Sequence, residues 1–179
     1  MELQITPLKD CFILKPSVFR DERGLFFESF NKELFKKTSG LDINFVQDNQ
    51  SESSYGVLRG LHFQSGMMAQ AKLVRVIQGR VLDIVVDIRK ESRTYGKHFS
   101  IILDDKDNMQ LFIPRGFAHG FITVSEKSVF SYKCDNYYSK SSEGGIIYND
   151  ATLSIDWHLP KEDFIISDKD LQLPAFKAL

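Results

Sequence analysis

Short runs in which apolar and polar residues alternate dominate the middle of the chain and predict β-strands. One such run covers residues 72–77, and Gln78-Gly79-Arg80 then predicts a turn into a second run at 81–88. The second run is rich in valine and isoleucine and is close to alternating, which is typical of a strand with one buried face. Further runs, separated by polar or proline-containing turns, lie at residues 98–103, 110–113, 117–124 and 128–134.

Helix signals are few by comparison. Residues 31–37 read as one helix, with Asn31 suited to its N-cap and Gly40 to its end. A second, short helix is expected near the C-terminus. Strands that recur roughly every 8–12 residues among so few helices predict an all-β fold, as a sandwich, jelly roll or barrel. Because the chain has no repeat, no low-complexity linker and no shift in composition, residues 1–179 are expected to form a single domain.

The composition is that of an ordinary globular protein, with 42% hydrophobic and 26% charged residues among 179. Lysine and arginine number 23 against 24 acidic residues, which gives a formal net charge of -1. This balance gives no electrostatic reason to expect a nucleic-acid binder. Any binding of anions must therefore come from cations gathered at one place.

Targeting and membrane signals are also missing from the sequence. Residues 1–6 show neither the basic nor the apolar stretch of a signal peptide, and no apolar run approaches the roughly 18 residues of a spanning helix. The two cysteines, Cys11 and Cys134, are not in metal-ligand spacing and read as reduced structural thiols. We therefore expect a soluble cytoplasmic protein without a membrane partner.

Candidate chemistry concentrates in one segment, residues 59–64, which stands between two strand-like runs. It carries Arg59 and His62, and Lys72 follows eight residues after its end. An imidazole titrates near neutral pH, so it can accept and release a proton. Arginine and lysine suit phosphates and developing oxyanions. If these side chains converge, they predict proton transfer on an anionic substrate that carries a carbonyl.

The other three histidines differ in how well they are placed to contact a ligand. His119 follows Phe117-Ala118 and precedes Gly120, so it can approach a ligand, whereas His98 and His158 are expected at the surface. A metal site is not expected, because residue 64 is glutamine and the chain contains no pair of histidines one residue apart. Proton transfer is favoured over metal chemistry.

Two further sites in the sequence become catalytic candidates only if other candidate residues lie near them. Tyr132 lies in an alternating strand, where a tyrosine usually packs, but a phenol facing the cavity of His62 could donate a proton. Residues 168–170 (Asp-Lys-Asp) read by themselves as a solvated charged run, although a carboxylate there could orient a histidine.

Taken together, these segments resemble the dTDP-4-dehydrorhamnose 3,5-epimerase family of deoxysugar biosynthesis over nearly the whole chain. Each segment alone is a weak signal, but their order and spacing match the family. The segments are residues 19–24, 27–30, 45–49, 59–64, 71–75, 86–89, 113–121, 132–133, 155–157 and 167–170.

The resemblance implies a cupin-like jelly roll, a homodimer, and a reaction that needs no metal or organic cofactor. The implied substrate is a nucleotide-diphosphate 4-keto-6-deoxy sugar, on the route to dTDP-L-rhamnose for surface polysaccharides. The implied reaction turns dTDP-4-dehydro-6-deoxy-D-glucose into dTDP-4-dehydro-L-rhamnose by inverting carbons 3 and 5.

The resemblance also assigns roles to residues. His62, paired with Asp170, would be the general base, Tyr132 the general acid, and Lys72 the cation that stabilises the enolate. Arg59 and His119 would contact the substrate and its phosphates. Tyr138 would stack on the nucleobase. The remaining positions implied to bind the nucleotide-sugar are Arg23, Glu28, Gln47, Asn49, Glu143 and Lys169.

Alternatives stay open at this point. The family usually carries a proline-rich turn after its Arg-to-Gln segment, whereas this chain has Ser-Gly-Met-Met-Ala-Gln at 65–70. An epimerase that inverts one centre, or one that acts on a different nucleotide-sugar, is therefore an alternative. A keto-isomerase is disfavoured by Gln64, where such relatives carry a histidine. A non-catalytic sugar-binding module is disfavoured because the proposed base, acid and enolate cation are all present.

Overall fold

The computed structural model describes residues 1–179, apart from the side chain of Ala178. Strands make up most of its regular structure, and two α-helices lie outside the sheets. The helices are α1 (Lys32–Ser39) and α2 (Asp168–Leu171). The strands are β1 (Glu2–Ile5), β2 (Phe12–Lys15), β3 (Phe19–Asp21), β4 (Gly24–Phe26), β5 (Gln47–Ser54), β6 (Val57–Gln64), β7 (Lys72–Gln78), β8 (Arg80–Asp87), β9 (His98–Asp104), β10 (Gln110–Ile113), β11 (Phe117–Thr123), β12 (Lys127–Cys134), β13 (Glu143–Gly145) and β14 (Ile165–Ile166).

Two sheets carry the architecture. The first has the order β1-β2-β10-β7-β12-β5, and the second has the order β13-β6-β11-β8-β9, with β14 parallel to β6. A shared apolar core joins them: Val74 and Phe130 of the first sheet cluster with Val85 and Phe121 of the second. Phe121 and Phe130 stack with their ring centroids 4.3 Å apart. This packing confirms the all-β, cupin-like sandwich predicted from the sequence.

The six predicted strands between residues 72 and 134 are present, each within one residue of the predicted bounds. The expectation that the run at 81–88 has one buried face is wrong, because residues 81–87 are all buried. One face, which includes Val85, packs in the core between the sheets. The other face, which includes Ile84, is covered by C-terminal residues such as Trp157. A strand covered on both sides needs apolar residues at successive positions.

The predicted caps of the first helix are confirmed. Asn31 accepts a hydrogen bond from the backbone N–H of Leu34 at 3.0 Å, and Gly40 ends α1 with a left-handed φ of 74°. Phe35 is the buried residue of this helix, and its ring contacts those of Phe12 on β2 and Phe112 on β10. The short helix expected near the C-terminus is α2.

A cluster of ionic and hydroxyl groups anchors the end of β8. Asp87 is fully buried and accepts hydrogen bonds from Arg89, Ser92 and Thr94. Burial by itself raises the pKa of Asp87, but these hydrogen bonds outweigh it and lower the pKa to about 2. Arg89 also binds Asp10, so the cluster joins β8 to the N-terminal part of the chain.

The hairpin of β3 and β4 stands apart from both sheets. Phe19 and Phe26 face each other across it, and they are 65% and 68% exposed. Large aromatic rings this exposed mark a surface suited to contact with another molecule. Among the residues described, no helix has the length and apolarity to cross a membrane. Cys11 and Cys134 are both buried and free.

Candidate active site

A cavity of about 600 Å³ lies between the two sheets, and all four predicted catalytic side chains line it. One wall is formed by Lys72 of β7 and Tyr132 of β12, both in the first sheet. The opposite wall is formed by His62 of β6 and His119 of β11 in the second sheet. Asp170, from α2 near the C-terminus, completes the second wall.

Backbone geometry explains why the histidines stand together. The Arg59-to-Gln64 segment is part of β6 rather than a connection between strands, and His62 pairs with His119 across β6 and β11. A β-bulge follows His119, and the two backbones approach closely there. A Cβ atom on Gly60 would lie 2.5 Å from the Cα of Gly120, so this crossing requires glycine.

His62 and Asp170 form a dyad. The Nε2 atom of His62 lies 2.7 Å from Oδ1 of Asp170, and Oδ2 of Asp170 accepts a hydrogen bond from the backbone N–H of Gly60 at 3.1 Å. Ser167 caps α2 by accepting a hydrogen bond from the backbone N–H of Asp170. The sequence reading of residues 168–170 as a solvated run is therefore wrong for Asp170, which is 4% exposed. The short capped helix turns this one carboxylate inward.

Asp170 is charged in this setting. Burial by itself raises its pKa, but the hydrogen bond and charge of His62, together with the bonds from Gly60 and Ser167, bring the pKa below its usual value. A carboxylate held this way stabilises an imidazolium and fixes the orientation of the ring. The dyad therefore suits His62 to accepting a proton.

Lys72 is a cation without a carboxylate partner. Its Nζ atom lies 5.7 Å from the centre of the Tyr132 ring, and no ion pair involving it is found among the described side chains. Burial lowers the pKa of Lys72, while the nearby acidic groups, Asp83 among them, oppose this shift. An unpaired ammonium in a partly buried cavity is poised to stabilise a negative charge that develops on a ligand.

Tyr132 supplies a proton donor on the same wall. Its strand pairs with β5, where Asn49 is its direct neighbour. Burial raises the pKa of the Tyr132 phenol, with a smaller rise from Cys134, so the hydroxyl keeps its proton at neutral pH. The base and this acid therefore face one cavity from opposite walls.

His119 has a carboxylate partner of its own, which the sequence reading missed. Its Nε2 atom lies 2.9 Å from Oδ2 of Asp83, a fully buried residue of β8. Burial lowers the pKa of His119 although Asp83 opposes it, so the imidazole is neutral at neutral pH. The signal was present in the sequence, since Asp83 is a single acid within the apolar run at 81–86. A charged residue buried in such a run usually has a specific partner.

Arg59 and Lys169 line the cavity, and a network of polar side chains extends outward from Lys169. Arg59 donates from Nε to the hydroxyl of Ser53 at 3.1 Å and from Nη2 to the carbonyl of Glu52 at 3.3 Å, so these two bonds fix the direction of its guanidinium. Lys169 forms an ion pair with Glu143 at 2.7 Å, and Glu143 accepts a hydrogen bond from the hydroxyl of Tyr138 at 3.1 Å.

Two more residues extend this network from Tyr138. The backbone N–H of Tyr138 donates to the side chain of Gln47 at 2.9 Å, and Gln47 in turn donates to Asn49 at 3.1 Å. The structure therefore connects five of the predicted nucleotide-sugar positions into one network. These are Gln47, Asn49, Tyr138, Glu143 and Lys169.

Two other predicted binding residues lie outside this network. Arg23 is on the exposed β3–β4 hairpin and pairs with Asp21, while Glu28 accepts a hydrogen bond from Asn31 at the start of α1. Neither contributes to the cavity lining of its own chain. His98 and His158 are exposed, as expected. Within the described residues, no group of three or more His, Cys, Asp or Glu side chains is arranged to hold a metal ion.

Sequence and structure comparisons agree on one family. The family model for dTDP-4-dehydrorhamnose 3,5-epimerase matches residues 5–178. The dTDP-4-dehydrorhamnose 3,5-epimerase of Salmonella typhimurium is 51% identical over 172 residues, covering 94% of this chain and 92% of the relative.

Solved structures of this family are similar to the chain in both fold and sequence. The crystal structure of dTDP-4-dehydrorhamnose 3,5-epimerase from Elizabethkingia anophelis has a TM-score of 0.95 and 56% identity, covering 99% of this chain and 97% of that one. The dTDP-6-deoxy-D-glucose-3,5-epimerase of Legionella pneumophila, in complex with dTDP-4-keto-L-rhamnose, has a TM-score of 0.95 and 42% identity, with 99% and 94% coverage. The chain therefore belongs to the dTDP-4-dehydrorhamnose 3,5-epimerase family and is an isomerase.

Proposed function

We propose that this chain converts dTDP-4-dehydro-6-deoxy-D-glucose into dTDP-4-dehydro-L-rhamnose by inverting carbons 3 and 5. The observation that carries the proposal is the placement of His62 and Tyr132 on opposite walls of one cavity. Inversion of a carbon requires that a proton leaves from one face and returns to the other. The Legionella pneumophila relative in complex with dTDP-4-keto-L-rhamnose supports this choice of product.

Each inversion would proceed in two proton transfers. His62 removes the proton from a carbon next to the ketone, and the electron pair of that bond moves onto the ketone oxygen as an enolate. Lys72 stabilises the negative oxygen, which makes the C–H bond acidic enough to break. Tyr132 then donates its phenolic proton to the opposite face of the carbon while the ketone forms again. The imidazolium of His62 then releases its proton to solvent, and the phenolate of Tyr132 takes one up from solvent, so each inversion is balanced without a redox partner.

Asp170 and Asp83 would prepare the two histidines. With Nε2 of His62 bound to Asp170, its Nδ1 atom is left to accept the substrate proton. The charge of Asp170 stabilises the imidazolium that results. Asp83 orients His119 in the same way, and His119 with Arg59 would contact the substrate and its phosphates.

The nucleotide end of the substrate would lie along the polar network that joins Lys169 to Asn49. Arg59 and Lys169 both contribute to the cavity, and cations placed there suit a diphosphate. Tyr138 is 55% exposed, so its ring is free to stack on a nucleobase. Gln47, Asn49 and Glu143 would bind the remaining polar groups of the nucleotide-sugar.

The active enzyme would be a homodimer in which each site is completed by the other chain. Arg23 and Glu28 resemble nucleotide-binding positions of the family, yet they lie away from the cavity of their own chain. The hairpin that carries Arg23 exposes Phe19 and Phe26, a surface suited to packing against a second copy. Residues 1–179 would form one domain, and the two buried free thiols support a reducing, cytoplasmic location.

The test is product identification with purified protein. Incubation with dTDP-4-dehydro-6-deoxy-D-glucose should give dTDP-4-dehydro-L-rhamnose, identified by proton magnetic resonance, and His62→Ala should abolish the conversion. Absence of conversion by the wild-type protein would favour a non-catalytic sugar-binding module, and inversion of one carbon would favour a single-centre epimerase. Analytical ultracentrifugation should give the mass of two chains, and a monomer at assay concentration would contradict the shared site.

A further inference from the structure

The segment that carries Tyr138 is not held by a sheet. Residues 135–139 follow the end of β12 and contain neither helix nor strand, and a single 3-10 turn (Lys140–Ser142) comes next. Backbone groups outside regular structure need other hydrogen-bond partners. In this segment many of those partners are side chains.

Gln64 supplies two of these bonds and a third to the 65–70 loop. This residue is the last of β6 and is 7% exposed. Its Nε2 atom donates to the carbonyl of Tyr137 at 3.1 Å, and its Oε1 atom accepts from the backbone N–H of Ser139 at 2.6 Å. Nε2 also donates to the carbonyl of Met68 at 2.7 Å. The amide therefore binds the residues on both sides of Tyr138, and it joins them to the 65–70 loop.

The 65–70 loop depends on the same segment. The backbone N–H of Ser65 donates to the carbonyl of Ser142 at 2.9 Å, and Asn136 donates to the carbonyl of Met67 at 2.9 Å. Gln70 donates to the carbonyl of Asn136 at 2.8 Å. Met67 is itself 93% exposed, so apolar burial does not fix this turn. Hydrogen bonds from several residues thus hold the loop to the Tyr138 segment, and Gln64 is the one whose side chain binds the residues on both sides of Tyr138.

We propose that Gln64 is a positioning residue. It fixes the segment whose Tyr138 ring would stack on the nucleobase, and it does not act on the reacting carbons. The inference rests on the proposed function for the identity of the ligand. The buried amide cannot be replaced by water without loss, because two donors and one acceptor must be satisfied in a fixed geometry. His62 is two residues earlier on the same strand and is held by Asp170 instead, so the dyad does not depend on this amide.

The substitution that tests this is Gln64→Met, which keeps the volume, removes all three hydrogen bonds and adds no charge near the diphosphate. We expect the dissociation constant of dTDP, measured by calorimetry, and the KM of the substrate to rise about tenfold, while kcat stays within about twofold. The matched control is Thr123→Val, which removes one buried hydrogen bond to Ser128 away from the cavity. It should leave all three quantities unchanged.

A double-variant cycle separates positioning from general damage. If Gln64 acts through Tyr138, adding Gln64→Met to Tyr138→Ala should weaken dTDP binding by less than about twofold beyond Tyr138→Ala alone. Additive losses, or a fall in kcat at unchanged dTDP affinity, would overturn the proposal.

Hydrogen exchange, which needs no nucleotide, tests the positioning role of Gln64 separately from the proposed function. Hydrogen exchange should become faster at residues 135–142 in Gln64→Met and stay unchanged there in Thr123→Val. Unchanged exchange in Gln64→Met would reject the positioning role whatever the substrate. A wild-type protein that neither binds dTDP nor turns over the sugar would instead reject the proposed function, and the exchange result would still decide the role of Gln64.

Discussion

Replacing Asp170 with asparagine removes the negative charge behind His62 while keeping the size and shape of the side chain. In the wild type, Oδ1 of Asp170 lies 2.7 Å from Nε2 of His62, and the carboxylate is 4% exposed. The imidazolium that forms when His62 accepts the substrate proton then has its counter-charge at hydrogen-bond distance. Asparagine leaves a neutral amide in its place.

The size of the effect follows from that single contact. A hydrogen bond to a charged group contributes about 1.5–3 kcal/mol, and about 1.4 kcal/mol corresponds to a factor of ten in rate. We therefore expect kcat to fall by about 10- to 150-fold. KM should change little, because the charge on His62 develops only as the proton moves.

The assay is the rate of deuterium incorporation from solvent into the substrate at saturation, followed by proton magnetic resonance. Exchange at carbons 3 and 5 should slow together, since one dyad serves both. The control is Asp168→Asn, which neutralises an exposed acid on the same short helix and should stay within about twofold of the wild type. A kcat for Asp170→Asn within about threefold of the wild type would refute the role of the dyad.

Three other substitutions test separate parts of the account. Lys72→Met should lower kcat by about 100- to 1,000-fold, because it removes the cation that stabilises the enolate. It should maintain or raise the Tm, because a charge is no longer buried. A kcat loss below about tenfold would contradict the role of Lys72. Tyr132→Phe should still let deuterium enter the substrate from the side of His62, while the rate of formation of inverted product falls by about 100-fold. The assay compares the rate of deuterium exchange with the rate of inversion. An equal loss in both rates would argue against Tyr132 as a separate acid. Asp87→Asn tests the effect of pH on stability. The pKa of Asp87 is about 2 in the folded protein and 3.8 ordinarily, so its stabilisation is complete above about pH 5 and is lost as the pH falls toward 2. The free energy of unfolding of the wild type, from urea titrations, should therefore decrease by about 2 kcal/mol more over that range than that of the variant.

Local patterns predicted the fold well where neighbours in the sequence decide the structure. Alternation between residues 72 and 134 located six strands, and Asn31 and Gly40 located both ends of α1. The pattern failed for β8, because the second apolar layer over that strand comes from residues about 70 positions later, such as Trp157. A contact of that range has no signature within the strand itself.

Some residues of the site are likewise indicated by their neighbours in the sequence, and others are not. His62 and Lys72 were recognisable because a base and a cation occur close together in the sequence. Asp170 was not recognisable from its own surroundings, since Lys169 and Asp168 beside it are exposed and a single capped turn decides which of the three points inward. The family resemblance alone implies a role for it. Asp83 was missed because its partner His119 lies on another strand, 36 residues away.

In the proposed mechanism, a base on one wall and an acid on the other invert two carbons of the same sugar. The decisive experiment converts dTDP-4-dehydro-6-deoxy-D-glucose in deuterated water with the wild-type protein and locates the label in the product. We expect solvent-derived deuterium at both carbon 3 and carbon 5, each with inverted configuration. Label at only one carbon, or label at both carbons with retained configuration, would contradict this mechanism.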